Sequence, residues 1–158
     1  MNDVLHVLQE FYRDVLARLL RHQASARLVR QYDANNTYQY IINREETHPT
    51  WIAAAITAMG GQVDDTGEEP NRGSTRDAMA AMQEDARESR AFVDRWRPRV
   101  NALPNARHAK MLGVILGEVL EQERFFEQAL AGRTDLLGRR GPNLEPARGE
   151  VLPSRWIQ

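Results

Sequence analysis

Apolar residues recur in steps of three and four along four long runs of the chain, and no stretch keeps the period of two that is typical of a strand. The runs predict helices over about 3–32, 37–59, 74–100 and 106–131. Side chains at this spacing lie on one face of a helix, so each helix has an apolar stripe to bury. We therefore expect an all-α fold, an antiparallel four-helix bundle.

Turn-forming and capping residues mark the ends of these predicted helices. A cluster of Asp, Asn and Thr precedes the second helix, and Asn36 or Thr37 is its expected N-cap. The third helix is expected to begin behind Ser74 or Thr75, with Asp77 in its first turn.

The composition changes sharply near the end of the chain. Residues 1–132 are predicted to form the bundle, whereas 133–158 are too rich in Gly, Pro and Arg for a helix and are predicted to form an extended C-terminal arm. The arm ends in apolar residues that include Trp156 and Ile157. We expect these to dock on the bundle or on a partner subunit; recognition of a larger assembly is the alternative.

Polar residues interrupt each apolar stripe near the middle of its helix. Rotation by 100° per residue directs the following residues inward: His22, Glu45, His48, Asp85, Ser89, Glu118 and Gln122. The same rotation puts these at the flank or outside: Glu46, Glu84, Glu88, Glu121 and Arg124. The inward set lies near one mid-bundle layer, where carboxylates and imidazoles are costly unless they pair with each other or bind a cation.

The most informative element of this layer is Glu45-x-x-His48. An i,i+3 pair on one helix face lets a carboxylate and an imidazole reach the same ion, and oxygen and nitrogen ligands suit Fe, Mn or Zn. Pro49 cannot donate to the carbonyl of Glu45. We therefore expect a kink beside the pair, although a full break that turns His48 elsewhere is the alternative.

This helix resembles the second helix of the ferritin-like superfamily, and of its rubrerythrin-like members most of all. The resemblance rests on Glu45-Glu46-x-His48 followed by Gly60-Gly61. It implies a ferritin-like bundle that holds iron or manganese, as a di-metal or single-metal site, and reacts with a small-molecule oxidant such as oxygen or peroxide. Under that resemblance the ligands would come from Glu45, His48, Asp85 or Glu88, and Glu118 or Glu121. His22 is a further candidate ligand because of its inward position.

The chain also departs from the ferritin-like pattern. No histidine follows Glu118 or Glu121 by three residues, and Arg124 stands where the second motif would have one. Arg124 could neutralise a vacated site. Salt bridges to arginines are the alternative for Asp85 and Glu118, the candidates being Arg21, Arg44 and Arg87.

Three functions stay open on these observations. The first is a metal-binding, oxidoreductase-type bundle, with Tyr12 or Tyr38 tuning the site from behind the ligands. The second is a metal-free ferritin-like scaffold that acts through protein association by its C-terminal arm. The third is a single-metal hydrolase-like or thiol-transferase-like bundle that uses His22 and His48.

Composition narrows the classes further. The chain has 21 basic and 22 acidic residues and a net charge of −1, which disfavours a nucleic-acid binder. It has no cysteine, so disulfides, iron–sulfur clusters and thiolate zinc sites are excluded. No apolar stretch is long enough to cross a bilayer, and no signal peptide is recognisable. We expect a soluble, cytoplasmic protein that forms a homodimer or a higher homo-oligomer.

Overall fold

The computed structural model describes residues 2–65, 77–133 and 136, and this part of the chain is helical with no strand. Its elements are α1 (Asn2–Leu28), α2 (Tyr32–Glu45), α3 (Thr47–Ala58), α4 (Ala78–Asn101) and α5 (Ala106–Leu130). Only Glu46 separates α2 from α3, so together they take the place of the second predicted helix. The predicted all-α helical bundle is confirmed. The predicted arm lies almost entirely outside the described residues.

The core of the bundle is divided into two apolar clusters. The larger one, here the aromatic cluster, contains Leu8, Phe11, Tyr12, Val15, Ile52, Ile56, Phe92, Val93, Trp96, Val100, Leu112, Ile115, Leu116 and Val119. The smaller one, here the Tyr38 cluster, contains Leu19, Ala26, Val29, Tyr38, Ile41, Ile42, Met82, Ala86 and Phe126. The helices α1, α4 and α5 each contribute residues to both clusters, whereas α2 contributes only to the Tyr38 cluster and α3 only to the aromatic cluster. The middle of the bundle, between the clusters, is left for a different kind of layer.

The second helix begins earlier than the sequence predicts. Its N-cap is Gln31, whose side chain accepts a hydrogen bond from Ala34 N at 2.6 Å, so the predicted caps Asn36 and Thr37 are wrong. Thr37 lies one turn inside the helix, where its hydroxyl donates to the carbonyl of Asp33.

Asn35 explains why this region looks like a turn in the sequence. Its side-chain amide donates to the carbonyls of Ala26 at 3.0 Å and Val29 at 2.9 Å. The Ala26 carbonyl belongs to the last turn of α1, and Val29 directly follows the helix, where carbonyls need partners from outside the helix. Asn35 therefore caps the helix before it while being part of the helix after it.

The start of α4 also differs from its prediction. Asp77 is the N-cap rather than a residue of the first turn, since its side chain accepts from Met79 N at 3.1 Å. Ser74 and Thr75 lie outside the described residues.

The interruption expected beside Pro49 is present as a division of the helix at Glu46. Pro49 is the third residue of α3, a position where the backbone N–H that it lacks is not needed for a helical hydrogen bond. Thr47 Oγ1 donates to the carbonyl of Arg44 at 2.6 Å and satisfies one acceptor at the break. The division lets the residues on its two sides face different helices.

Candidate functional site

A layer of buried polar side chains separates the aromatic cluster from the Tyr38 cluster. Its members are Arg18, His22, Ser25, Glu45, His48, Asp85, Ser89, Gln122 and Glu123. All the positions predicted to point inward are buried except Glu118, whose side chain is 23% exposed. The mid-bundle layer expected from the sequence is therefore present, and its chemistry depends on how these groups pair.

His22 and Glu45 form a sealed pair between α1 and α2. The imidazole Nδ1 lies 2.5 Å from Glu45 Oε1, and the two side chains are 0% and 2% exposed. On its other side the ring faces Phe126, with centroids 5.3 Å apart. His22 Nε2 is buried and has no hydrogen-bond partner among the described residues. The imidazole of His22 therefore has a hydrogen-bond partner on Nδ1 and none, among the described residues, on Nε2.

His48 and Glu118 form a second pair, between α3 and α5, and this one reaches the surface. His48 Nε2 lies 2.8 Å from Glu118 Oε2. Arg44 of α2 donates from Nη2 and Nε to the other oxygen, at 2.6 and 2.9 Å. Burial raises the pKa of Glu118, but the hydrogen bonds from His48 and Arg44 outweigh it and hold that pKa below its ordinary value. Glu118 is thus a stabilised carboxylate that joins three helices.

Asp85 of α4 is fully buried and receives several donors. Ser25 Oγ and Tyr38 Oη donate to its Oδ2 at 2.5 and 2.7 Å. Arg21 Nε donates to Oδ1 at 3.2 Å. The salt bridges that the sequence suggests as alternatives, Arg21 to Asp85 and Arg44 to Glu118, are both formed.

Arg18 is a member of the layer that the sequence prediction missed. Its side chain is 3% exposed and contacts Glu88 of α4 in an ion pair. It also donates to Gln122 Oε1 of α5 at 2.6 Å and to Ser89 Oγ at 3.3 Å. The guanidinium lies 4.9 Å from the centroid of the Phe92 ring. A permanent positive charge therefore lies inside the layer. The feature of the sequence that could have identified Arg18 as part of the layer is its position, one helical turn before His22.

The carboxylates at the end of α5 divide into an exposed and a buried one. Glu121 is exposed and pairs with Arg124 at 3.2 Å, one turn along the same helix. Glu123, which the prediction did not single out, is buried and accepts hydrogen bonds from Nη2 and Nε of Arg90, at 2.8 and 3.0 Å. Glu121 and Arg124 therefore belong to the surface, as their positions on the helix predict.

The arrangement can be compared with what a metal centre needs. Within residues 2–65 and 77–133, no set of three or more His, Asp or Glu side chains is close enough together to hold a metal ion. Glu45 is directed to His22 and His48 to Glu118, so the Glu-x-x-His pair is divided between two partners. The donors as arranged do not fit a di-metal centre.

The two tyrosines expected behind a metal site serve other contacts. Tyr38 donates to Asp85, as described above. Tyr12 donates to Asp65 in the segment after α3, and burial together with this hydrogen bond raises the pKa of Tyr12 to about 12. The hydroxyl of Tyr38 therefore links α2 to α4, and the hydroxyl of Tyr12 links α1 to the segment after α3.

A groove lies between α2 and α5, beside Glu118. Its volume is about 720 Å³, and its lining is mostly apolar. It is lined by Tyr40, Ile41, Asn43, Arg44, Glu118, Glu121, Gln122, Phe125 and Leu136. The Tyr40 and Phe125 rings meet edge to face with centroids 5.9 Å apart. The groove offers aromatic and aliphatic surface together with a few charged side chains.

Comparison with known proteins supports the fold. No family model and no curated protein sequence matches the chain. A solved structure of a conserved hypothetical protein, Rv2844 from Mycobacterium tuberculosis, is similar in its fold, with a TM-score of 0.70 over 79% of this chain and 95% of that one. The two sequences are 13% identical. The similarity therefore extends to the helical architecture alone.

None of the helices in the described ranges has both the length and the apolar character needed to cross a membrane.

Proposed function

We propose that this protein is a metal-independent ferritin-like scaffold that acts by association with protein chains through its C-terminal arm. The observation that carries the proposal is the pairing of the interior acids. Each one has a cation or a histidine of the same chain as its partner: Glu45 with His22, Asp85 with Arg21, Glu88 with Arg18, Glu118 with Arg44 and His48, and Glu123 with Arg90.

This pairing matters because of what interior carboxylates do in a metal-binding bundle. There they offset the charge of the bound cations and supply most of the ligands. Here guanidinium groups offset that charge, and Arg18 does so from a buried position. Entry of a divalent cation would require Glu118 to give up two charge-assisted hydrogen bonds from Arg44. The interior is thus suited to holding helices together without a metal.

The test uses the full-length chain purified without chelator, followed by elemental analysis and titration with Fe(II), Mn(II) and Zn(II). We expect metal well below one equivalent per chain and unchanged thermal stability on addition of each ion. Deletion of 133–158 should change the mass of the assembly in light scattering. One bound equivalent that is lost in Glu45→Gln would overturn the metal-independent proposal, and an unchanged mass after deletion would overturn association through the arm.

A second candidate function, a bundle that binds a single metal ion, is favoured by one observation. His22 has a carboxylate on Nδ1, and its Nε2 has no hydrogen-bond partner within the part of the chain that the structure describes. This is the arrangement of a histidine whose second nitrogen binds a metal. The same titration decides this case with His22→Gln as the variant. Binding in the parent chain that is abolished by this substitution would support the candidate, and binding that survives it would contradict it.

A further inference from the structure

The groove between α2 and α5 has a volume of about 720 Å³, and its lining includes the exposed residues Asn43 and Glu121. Tyr40 and Phe125 give it aromatic surface, and two further lining residues, Arg44 and Glu118, form an ion pair with each other. Since Arg44 and Glu118 neutralise each other, the surface that the groove offers to an occupant is mainly apolar. Such a surface favours an occupant with bulky apolar side chains.

The course of the chain after α5 leads back to this groove. Gly132 has a φ of +93°, a conformation that favours glycine, and it turns the chain at the end of the helix. Gly132 N donates to the carbonyl of Ala129, and Arg133 N to that of Gln128, which closes the turn. Leu136, only four residues beyond Gly132, is one of the residues that line the groove. The remaining segment is therefore tethered at the groove itself.

The 22 residues after Leu136 contain one compact apolar stretch, which is at their end. Residues 137–150 are rich in Gly, Pro and charged side chains, whereas 151–157 read Val-Leu-Pro-Ser-Arg-Trp-Ile. Fully extended, a chain of this length reaches about 70 Å, so it can leave the groove and return. A tether of this kind holds its end at an effective concentration in the millimolar range, so weak apolar contacts suffice for docking.

We propose that residues 151–157 occupy the α2–α5 groove of their own chain, with the Trp156 ring against Tyr40 and Phe125. The groove supplies the apolar surface, and Leu136 is the point from which the segment starts. The residues between Leu136 and 151–157 are long enough for the segment to return to the groove. The inference concerns where the arm rests within one chain. It stands apart from the proposed association with other chains, because an arm can rest on its own bundle whether or not it also engages a partner.

The absence of cysteine from the chain allows a direct test with single thiols. Asn43 is exposed and lines the groove, so Asn43→Cys reports on its occupancy. We expect this thiol to react with a disulfide reagent on the order of tenfold more slowly in the full-length chain than in one that lacks 151–158, since the tethered segment covers it most of the time. Gln83→Cys, exposed on α4, is the matched control and should react equally in both chains.

A second variant establishes which chain supplies the occupant. Under mild oxidation, Asn43→Cys combined with Ser154→Cys should give a cross-linked monomer in gel electrophoresis, and Gln83→Cys combined with Ser154→Cys should give several-fold less. Equal reaction rates of the Asn43→Cys thiol in the two chains would overturn docking. A predominantly cross-linked dimer would assign the groove to the arm of a second copy and overturn the same-chain proposal. Circular dichroism checks that each variant is folded.

Discussion

Two histidine–carboxylate pairs lie in the same layer of this bundle, and they differ in what surrounds them. The His22–Glu45 pair is fully buried. Among the described residues, no arginine forms a hydrogen bond with Glu45, and one ring nitrogen of His22 has no partner. The His48–Glu118 pair is partly exposed and shares its carboxylate with Arg44. In the first pair, each side chain has only the other as its hydrogen-bond partner among the described residues. In the second pair, the carboxylate has several partners and access to solvent.

This difference has an energetic meaning. Removal of one partner from a fully buried pair leaves the other without water or protein to replace the lost bond, and that is costly. Removal of a partner at the surface is compensated in part by solvent. The two pairs therefore predict different responses to the same substitution.

The largest effect is expected for Glu45→Ala. The substitution leaves His22 without a hydrogen-bond partner on either nitrogen, and we expect it to lower the free energy of unfolding by about 3–5 kcal/mol. Glu45→Gln keeps the size and one acceptor, so it should cost clearly less. Denaturant unfolding of the two variants provides the measurement. A loss below about 1 kcal/mol in Glu45→Ala would contradict the importance of the sealed pair.

A smaller effect is expected for Glu118→Ala. It removes the partner of His48 and Arg44, but solvent reaches the side chain, so we expect a loss of about 1–2 kcal/mol in the same assay. Arg124→Ala is the surface control on the same helix and should stay within about 0.5 kcal/mol of the parent chain. If Glu118→Ala proved as costly as Glu45→Ala, the contrast between the pairs would be wrong.

The smallest effect is expected in the pH dependence. The pKa of Glu118 in the folded protein lies below its ordinary value of 4.5, so the folded state favours the ionised form. The stability that this contributes is present above about pH 4.5 and is lost as the pH falls through the folded pKa. Glu118→Gln should therefore be less stable than the parent near neutral pH, with the difference shrinking in acid. A difference that is constant from neutral to acid pH would argue against ionisation of Glu118 as the cause.

The inward positions of the polar layer could be predicted because they depend on helix geometry alone. Rotation by 100° per residue places His22 and Asp85 correctly because α1 and α4 are unbroken through these residues, and it also places Glu45 and His48 correctly although they lie on the two sides of the division at Glu46. Neither the partner of each group nor the division at Glu46 follows from that rotation. The Glu-x-x-His pair looks like one site in the sequence because its spacing assumes an unbroken helix.

Arg18 and Glu123 were missed for a related reason. Arginine and glutamate are mostly found at the surface, so neither residue type indicates burial by itself, yet each of these two is buried through a partner on another helix. That partner is set by how the helices pack against one another. The start of α2 escaped prediction because the Asp, Asn and Thr cluster predicts a cap at Asn36 or Thr37, whereas Asn35 within this cluster makes its hydrogen bonds to the end of α1.

The buried guanidinium of Arg18 has a consequence for how the bundle assembles. It needs α4 for Glu88 and Ser89 and α5 for Gln122, so a state in which α1 has docked on only one of them would hold a desolvated cation with part of its partners missing. Such halfway states are penalised relative to both the complete bundle and the open chain. We therefore expect a single cooperative folding transition, in which α1, α4 and α5 fold and unfold together.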